Sequence, residues 1–181
     1  MTPNDLWRFV GRRNPHAIQT SNGGYVPVRR PLKLRDLINH LNGEKTLGTY
    51  VIREDGLVNY ACIDIDGDPK EFAANQDKYL KLGVEVFNLF PDFDRALEFS
   101  GRRGYHVWLF PEKPEPPAFM RELVKARFKL GKIPADIEIF PKQDRVDVTK
   151  KQLGNLIKLP CGKHVKGGWS KILKEAKKNG V

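Results

Sequence analysis

The sequence predicts an α/β or α+β domain built on a mixed sheet. Three observations carry that reading. Strand-like and helix-like stretches alternate along the chain without a strict βαβ rhythm. The length of 181 residues suits one domain of ordinary size, or two small modules sharing an interface. A share of 40% hydrophobic and 10% aromatic residues supports a packed core, while 30% charged residues and a mean hydropathy of -0.51 argue for a soluble chain.

Asn4 or Asp5 caps a short first helix, followed by a polar stretch over 12–24 and a strand over 25–28. Pro31 precedes a second helix with Leu34, Leu37, Ile38 and Leu41 at helical spacing, stopped by Asn42-Gly43. Strands over 49–53 and 58–65 flank Glu54-Asp55-Gly56, whose turn chemistry predicts a hairpin. A helix covers 70–82. Strands over 96–99 and 105–110 enclose Ser100-Gly101-Arg102-Arg103-Gly104, and a proline cluster then starts a helix over 118–130. Strands over 136–140 and 155–159 follow, and 170–178 is expected to be a basic amphipathic helix.

Basic residues exceed acidic ones by 32 to 22, and unevenly. Residues 1–62 carry nine basic and five acidic groups, residues 63–140 twelve and fourteen, and residues 141–181 eleven and three. That polarity suits a protein that grips phosphates with one surface and holds cations with another; a lysine-rich solubilising surface is the plainer alternative. No apolar run reaches the roughly 18 residues of a membrane span, and the start lacks a secretory signal, so no membrane partner is expected and the cytoplasm is the expected compartment. Cys62 and Cys161 alone cannot build a disulfide framework or a four-cysteine zinc site.

In the strand Ala61-Cys62-Ile63-Asp64-Ile65-Asp66, Ile63 and Ile65 face one side and Asp64 and Asp66 the other, about 7 Å apart. Two such carboxylates repel unless a cation or proton bridges them; an exposed strand end is the competing reading. Asp136 and Glu138 repeat the alternation, and a third carboxylate beside the pair would complete an oxygen-rich site for Mg²⁺ or Mn²⁺. The Ser100–Gly104 turn brings two glycines and Arg102 and Arg103 to an anion, with Ser100 and His106 at its edges. Lys158 interrupts the apolar run Leu156-Ile157-Lys158-Leu159, which is costly unless an anion meets it or the amine snorkels to water; Lys163 and His164 follow. On the expected last helix Lys171, Lys174 and Lys178 share one face and would track a nucleic-acid backbone.

Together and in this order, DID, SGRRGYHVW, EIFPKQD and GNLIKLPCGKH resemble the archaeo-eukaryotic primase superfamily, closest to the branch of CRISPR-associated primase-polymerases and conflict-system primases. The likeness extends upstream to Gly23-Gly24-Tyr25 and so covers nearly the whole chain. It implies a catalytic core with an RRM-like sheet plus an N-terminal α/β unit. It implies metal-binding acids at Asp64, Asp66 and Glu138, with Asp136, Asp144 or Asp147 as alternatives to the last. It implies nucleotide binding by Ser100, His106, Lys158 and His164, with Arg102 and Arg103 as weaker members of the set.

The resulting expectation is a template-dependent DNA primase or polymerase that adds dNTPs or NTPs to a 3′ end with two Mg²⁺ or Mn²⁺ ions and no zinc, on single-stranded or primed DNA. Further domains or partner proteins are implied by the multidomain setting of the branch. The rivals are a metal-dependent phosphodiesterase and an inert single-strand-binding module. One catalytic domain is expected over 1–181, with an N-terminal α/β part over 1–60, core motifs over 61–168 and a basic helix over 169–181.

Overall fold

The computed structural model describes residues 1–147, 149–150 and 152–180. After a 3-10 turn at Asp5–Phe9, the elements run β1 (His16–Gln19), β2 (Tyr25–Val28), α1 (Leu34–Leu41), β3 (Leu47–Tyr50), β4 (Ala61–Asp66), α2 (Pro69–Ala74), α3 (Gln76–Asn88), β5 (Asp94–Phe99), β6 (Gly104–Phe110), α4 (Pro117–Gly131), β7 (Glu138–Phe140), β8 (Leu156–Lys158) and β9 (Lys171–Ala176). Two sheets form, in the orders β2-β1-β3-β8 and β7-β4-β6-β5-β9.

Within the second sheet, β4-α2/α3-β5-β6-α4-β7 is a β-α-β-β-α-β unit with the ferredoxin-like order that RRM domains also use. Each βαβ half leaves a gap that a strand of opposite direction fills, so every pair is antiparallel. The first sheet is antiparallel as well, so the α+β class stands of the two expected, with antiparallel sheets in place of a mixed one.

Alternation decides what each face of the second sheet buries. Ile63, Ile65, Leu97, Val107 and Tyr105 turn toward α2 and α3, where the Phe72 ring lies tilted against Tyr105 with centres 5.9 Å apart. Asp64, Glu98, His106 and Trp108 turn the other way, toward the first sheet. There Trp108 is fully buried and meets Phe9 and Tyr60 edge-on, each at 5.0 Å, contacts worth about 0.5–1.5 kcal/mol beyond their buried area.

Several expected elements need correction. The basic helix over 170–178 is instead strand β9, because the outer edge of β5 requires a hydrogen-bonding partner and that tertiary demand outweighs the helix propensity of Lys-Ile-Leu-Lys-Glu-Ala. A register shift between Leu97 and Glu98 sets Leu173 out of the ladder, which puts Lys171 opposite Phe99 and Lys174 opposite Leu97. The turn at Asp55-Gly56 is real, with Arg53 N–H donating to Leu57 O at 2.9 Å, but β3 and β4 enter different sheets and make no hairpin. The helix expected over 70–82 is two helices broken at Asn75, and β1 lies inside the stretch read as polar. The division at residues 60 and 168 does not follow the sheets, since β8 belongs with the N-terminal strands. Among the described residues, no helix is long and apolar enough to cross a membrane.

Candidate active site

Strand β4 pairs with β6 on one side and β7 on the other, in a register that sets Asp64 opposite both His106 and Glu138, and Asp66 opposite Gly104. A Cβ at Gly104 would fall against Asp66 Oδ1 and Ile65 O, so glycine is what leaves room for the second carboxylate. Gly101, with φ of +88°, turns the β5–β6 hairpin, and Ser100 N–H closes it by donating to Gly104 O at 2.9 Å.

At the centre lies Glu98, a fully buried carboxylate that sequence reading missed. It accepts from His106 Nδ1 at 2.9 Å and Trp108 Nε1 at 2.8 Å, and Lys158 Nζ approaches at 3.4 Å from the other sheet. Burial would raise its pKa, but Lys158 and His106 outweigh that and hold it well below the usual carboxylate range. His106 has the mirror-image balance. Burial alone would lower it, yet Glu98 on one side and Asp64 Oδ1, 3.4 Å from Nε2 on the other, push it up to about 10, so the ring is an imidazolium near neutral pH.

The anion demanded by a lysine in an apolar strand is thus supplied within the protein. The same reasoning, applied to the chain's own acids, was the available signal for Glu98, which sits among the apolar residues of β5. Lys158 is only 7% exposed and also donates to Leu159 O at 3.0 Å.

One cavity of about 200 Å³ gathers most of the expected residues: Asp64, Asp66, Ser100, Arg102, Arg103, His106, Lys158 and His164 all line it. Arg103 pairs with Asp66 at 3.1 Å, Ser100 is buried, and Arg102 is exposed. Gln19, Gly23, Tyr25, Phe140, Leu156 and Ile157, none of them proposed as site residues from the sequence, complete the wall. Lys171 and Lys174 lie on the reverse face of the sheet, where Lys174 Nζ sits 4.8 Å from the Phe87 ring centre, and Lys178 pairs with Glu112 at 2.6 Å.

The carboxylates fit a cation in part. Asp64 Oδ1 is buried with no hydrogen bond beyond its 3.4 Å ion-pair approach to His106 Nε2, and a carboxylate oxygen so weakly engaged beside a second carboxylate suits a hard divalent ion. Glu138 shares the face of Asp64 by register, but its side chain is 54% exposed and engages Lys142 at 2.7 Å. Among the described residues, no three His, Cys, Asp or Glu side chains are gathered closely enough to hold an ion. Of the alternatives, Asp136 is exposed ahead of β7, Asp144 pairs with Arg121, and Asp147 accepts from Thr149 N–H at 3.0 Å.

Burial, with Asp64 as the next cause, raises the pKa of Asp66 to about 6 despite Arg103. The folded state holds this proton more tightly than the unfolded chain, so the stability it contributes is present below about pH 4 and is lost as pH rises through 6. With a chelator present, Asp66→Asn is therefore expected to raise the melting temperature at pH 7.5 by about 2 °C, allowing for screening at a partly exposed group. At pH 4 the gain should vanish. Melting curves at the two pH values check this, and an equal gain at both would remove the carboxylate repulsion as its cause.

A family model described as "TOTE conflict system, Archaeo-Eukaryotic Primase domain" matches residues 12–176. No curated protein matches the chain.

Proposed function

The chain belongs to the archaeo-eukaryotic primase domains of TOTE conflict systems, a primase and nucleotidyltransferase superfamily, and from that membership we propose that it is a template-dependent nucleotidyltransferase adding dNTPs or NTPs to a nucleic-acid 3′ end. The observation that carries the reading is the single cavity whose wall holds both the carboxylate pair and Ser100, Arg102, Arg103, His106, Lys158 and His164. A phosphodiesterase has no need of the second set, and an inert binding module has no need of the first.

Domains of this family generally use divalent metal ions. Asp64 and Asp66, joined by Glu138 once it releases Lys142, are the residues that would hold them. Bound there, Mg²⁺ or Mn²⁺ would lower the pKa of the attacking hydroxyl and neutralise charge on the leaving pyrophosphate. The protein's own side chains act on the nucleotide. His106, kept cationic between Glu98 and Asp64, and Lys158, kept in place by Glu98, present fixed positive charge to the triphosphate, while Ser100 donates from the hairpin edge. Arg103 can pass from Asp66 to a phosphate oxygen as the carboxylate takes up its cation. The 3′-hydroxyl oxygen bonds to the α-phosphorus as the bond to pyrophosphate breaks, and the hydroxyl proton leaves to water; no side chain is assigned as general base.

Incubating the protein with a labelled template, with and without primer, dNTPs or NTPs, and Mg²⁺ or Mn²⁺ tests the reading. Longer products support it, shortened ones favour the phosphodiesterase, and unchanged strands that remain bound favour the inert module.

The proposed template surface at Lys171, Lys174 and Lys178 has lost the helical face on which it was built. Three free lysines would make the salt dependence of single-strand affinity steeper by about 2 logarithmic units. Because Lys174 covers Phe87 and Lys178 is paired with Glu112, changing all three to glutamine is expected to lower the slope by less than about 1 unit. Titrations of a fluorescent single strand at several salt concentrations measure it, and a drop of about 2 would restore all three lysines to the strand's path.

A further inference from the structure

The hydrogen bonding around Gln19 contains a conflict that a ligand would resolve. Gln19 is 7% exposed on β1 and lines the cavity beside His164. Its Oε1 accepts from Val165 N–H at 3.2 Å, and its Nε2 donates to Gly23 O at 3.3 Å. A peptide N–H can only donate and a carbonyl oxygen can only accept, so these two partners fix the orientation of the amide.

The orientation of protons on His164 follows in the same way. Nδ1 accepts from Lys166 N–H at 3.0 Å, which places the proton of the neutral ring on Nε2. Burial, with Lys158, Arg102 and Lys166 as further causes, holds the imidazole below its ordinary pKa, so the neutral ring is the form present near pH 7.

His164 Nε2 lies 3.3 Å from Gln19 Nε2. Two N–H donors therefore face each other with no acceptor between them, a costly arrangement for a group as buried as Gln19. Lys158 and Arg102 line the same cavity, and Lys166 packs against Gly23. A neutral acceptor such as water could satisfy the two donors, but the positive charges of Arg102 and Lys166, and of Lys158 where it is not taken up by Glu98, favour an anion beside His164.

We propose that Gln19 and His164 form a two-pronged notch for one phosphate oxygen of the bound nucleotide, with Gln19 Nε2–H and His164 Nε2–H both donating to it. The identity of the ligand rests on reading the cavity as a triphosphate site; the notch itself rests on the donor arrangement. Gln19 is then a substrate-binding residue contributed by the N-terminal sheet, and polyphosphate is the chemical class it selects.

The test is calorimetric titration of inorganic tripolyphosphate and of dATP into the whole chain in the presence of a chelator, for the parental protein, Gln19→Glu and Gln19→Leu. Gln19→Glu keeps the shape and the contact with Val165 but puts a negatively charged acceptor in place of the Nε2 donor, against the proposed phosphate oxygen. Gln19→Leu removes the donor without adding charge. Both are expected to bind tripolyphosphate about tenfold or more weakly, Gln19→Glu the worse of the two, as befits the loss of one hydrogen bond to a charged acceptor. In primer extension the nucleotide KM should rise by a similar factor with kcat unchanged, a split that general loosening of the fold would not produce.

Tripolyphosphate binding equal to the parental protein in either folded variant overturns the notch, as does a parental protein that binds no tripolyphosphate. Intact primer extension alongside either result leaves the nucleotidyltransferase reading standing. Conversely, Gln19-dependent polyphosphate binding without any strand extension supports the notch and removes the proposed reaction.

Discussion

Asp64→Ala is expected to abolish nucleotide incorporation, and Asp66→Ala to do the same, while both variants keep the fold. The two carboxylates share one face of β4, and burial together with their repulsion raises the pKa of Asp66, so removing Asp66 relieves a strain of the protein without ligand; removing Asp64 relieves the same repulsion but gives up its 3.4 Å approach to His106, which keeps Glu98 as its partner. The loss falls instead on the transition state, where charge on the attacking and leaving oxygens would go uncompensated. If that compensation is worth several kcal/mol, the rate falls by about 10³-fold or more. Primer extension reads the loss, and melting curves with single-strand binding read the intact fold. Extension near the parental rate in either variant would end the assignment of these acids to metal binding. Glu138→Gln behaving like the parental protein would move the third ligand away from β7.

Lys158→Ala has the largest expected effect on stability. It leaves Glu98 fully buried with one of its two cations gone, and breaking a buried pair from one side costs about 3–5 kcal/mol. The pair spans 3.4 Å and His106 and Trp108 remain as partners, so the lower end applies, about 3 kcal/mol. For a chain of this length that is a fall in melting temperature of about 6–12 °C. Adding Glu98→Gln to Lys158→Ala removes the uncompensated charge and should restore part of the loss, so the double variant is more stable than the sum of the two singles predicts. Thermal melts of the four proteins measure the coupling. Strict additivity would mean that the two side chains do not stabilise one another.

What the sequence made legible was local. α1 follows from apolar spacing, α4 from the proline cluster that starts it, and the β5–β6 hairpin from Ser-Gly-Arg-Arg-Gly between two alternating runs, so Ser100, Arg102, Arg103 and His106 were found with it. The alternation of Asp64 and Asp66 with isoleucines fixed which side of β4 they occupy. What was hidden depended on distant partners. β1 is buried on both sides in its first two residues and shows no alternation, while β9 is a strand only because β5 offers an open edge. Gln19 and Glu98 became functional candidates only when folding brought His164 to the first and Lys158 to the second, 145 and 60 positions along the chain. No motif encodes such a pairing.

The interleaving of the two sheets bears on how the protein comes into being. A ribosome releases β1 to β3 first, then the complete β4–β7 unit, yet β3 must wait for β8 and β5 for β9. Until those late strands emerge, the nascent chain presents two unpaired ladders that invite pairing with other chains, and Glu98 waits for the amine that compensates its charge. The long loops closed in these last steps favour slow folding. The wall that carries Lys158 and His164 is among the last to be set, so a nucleotide bound there as proposed would assist only a nearly finished molecule and would not rescue an arrested one.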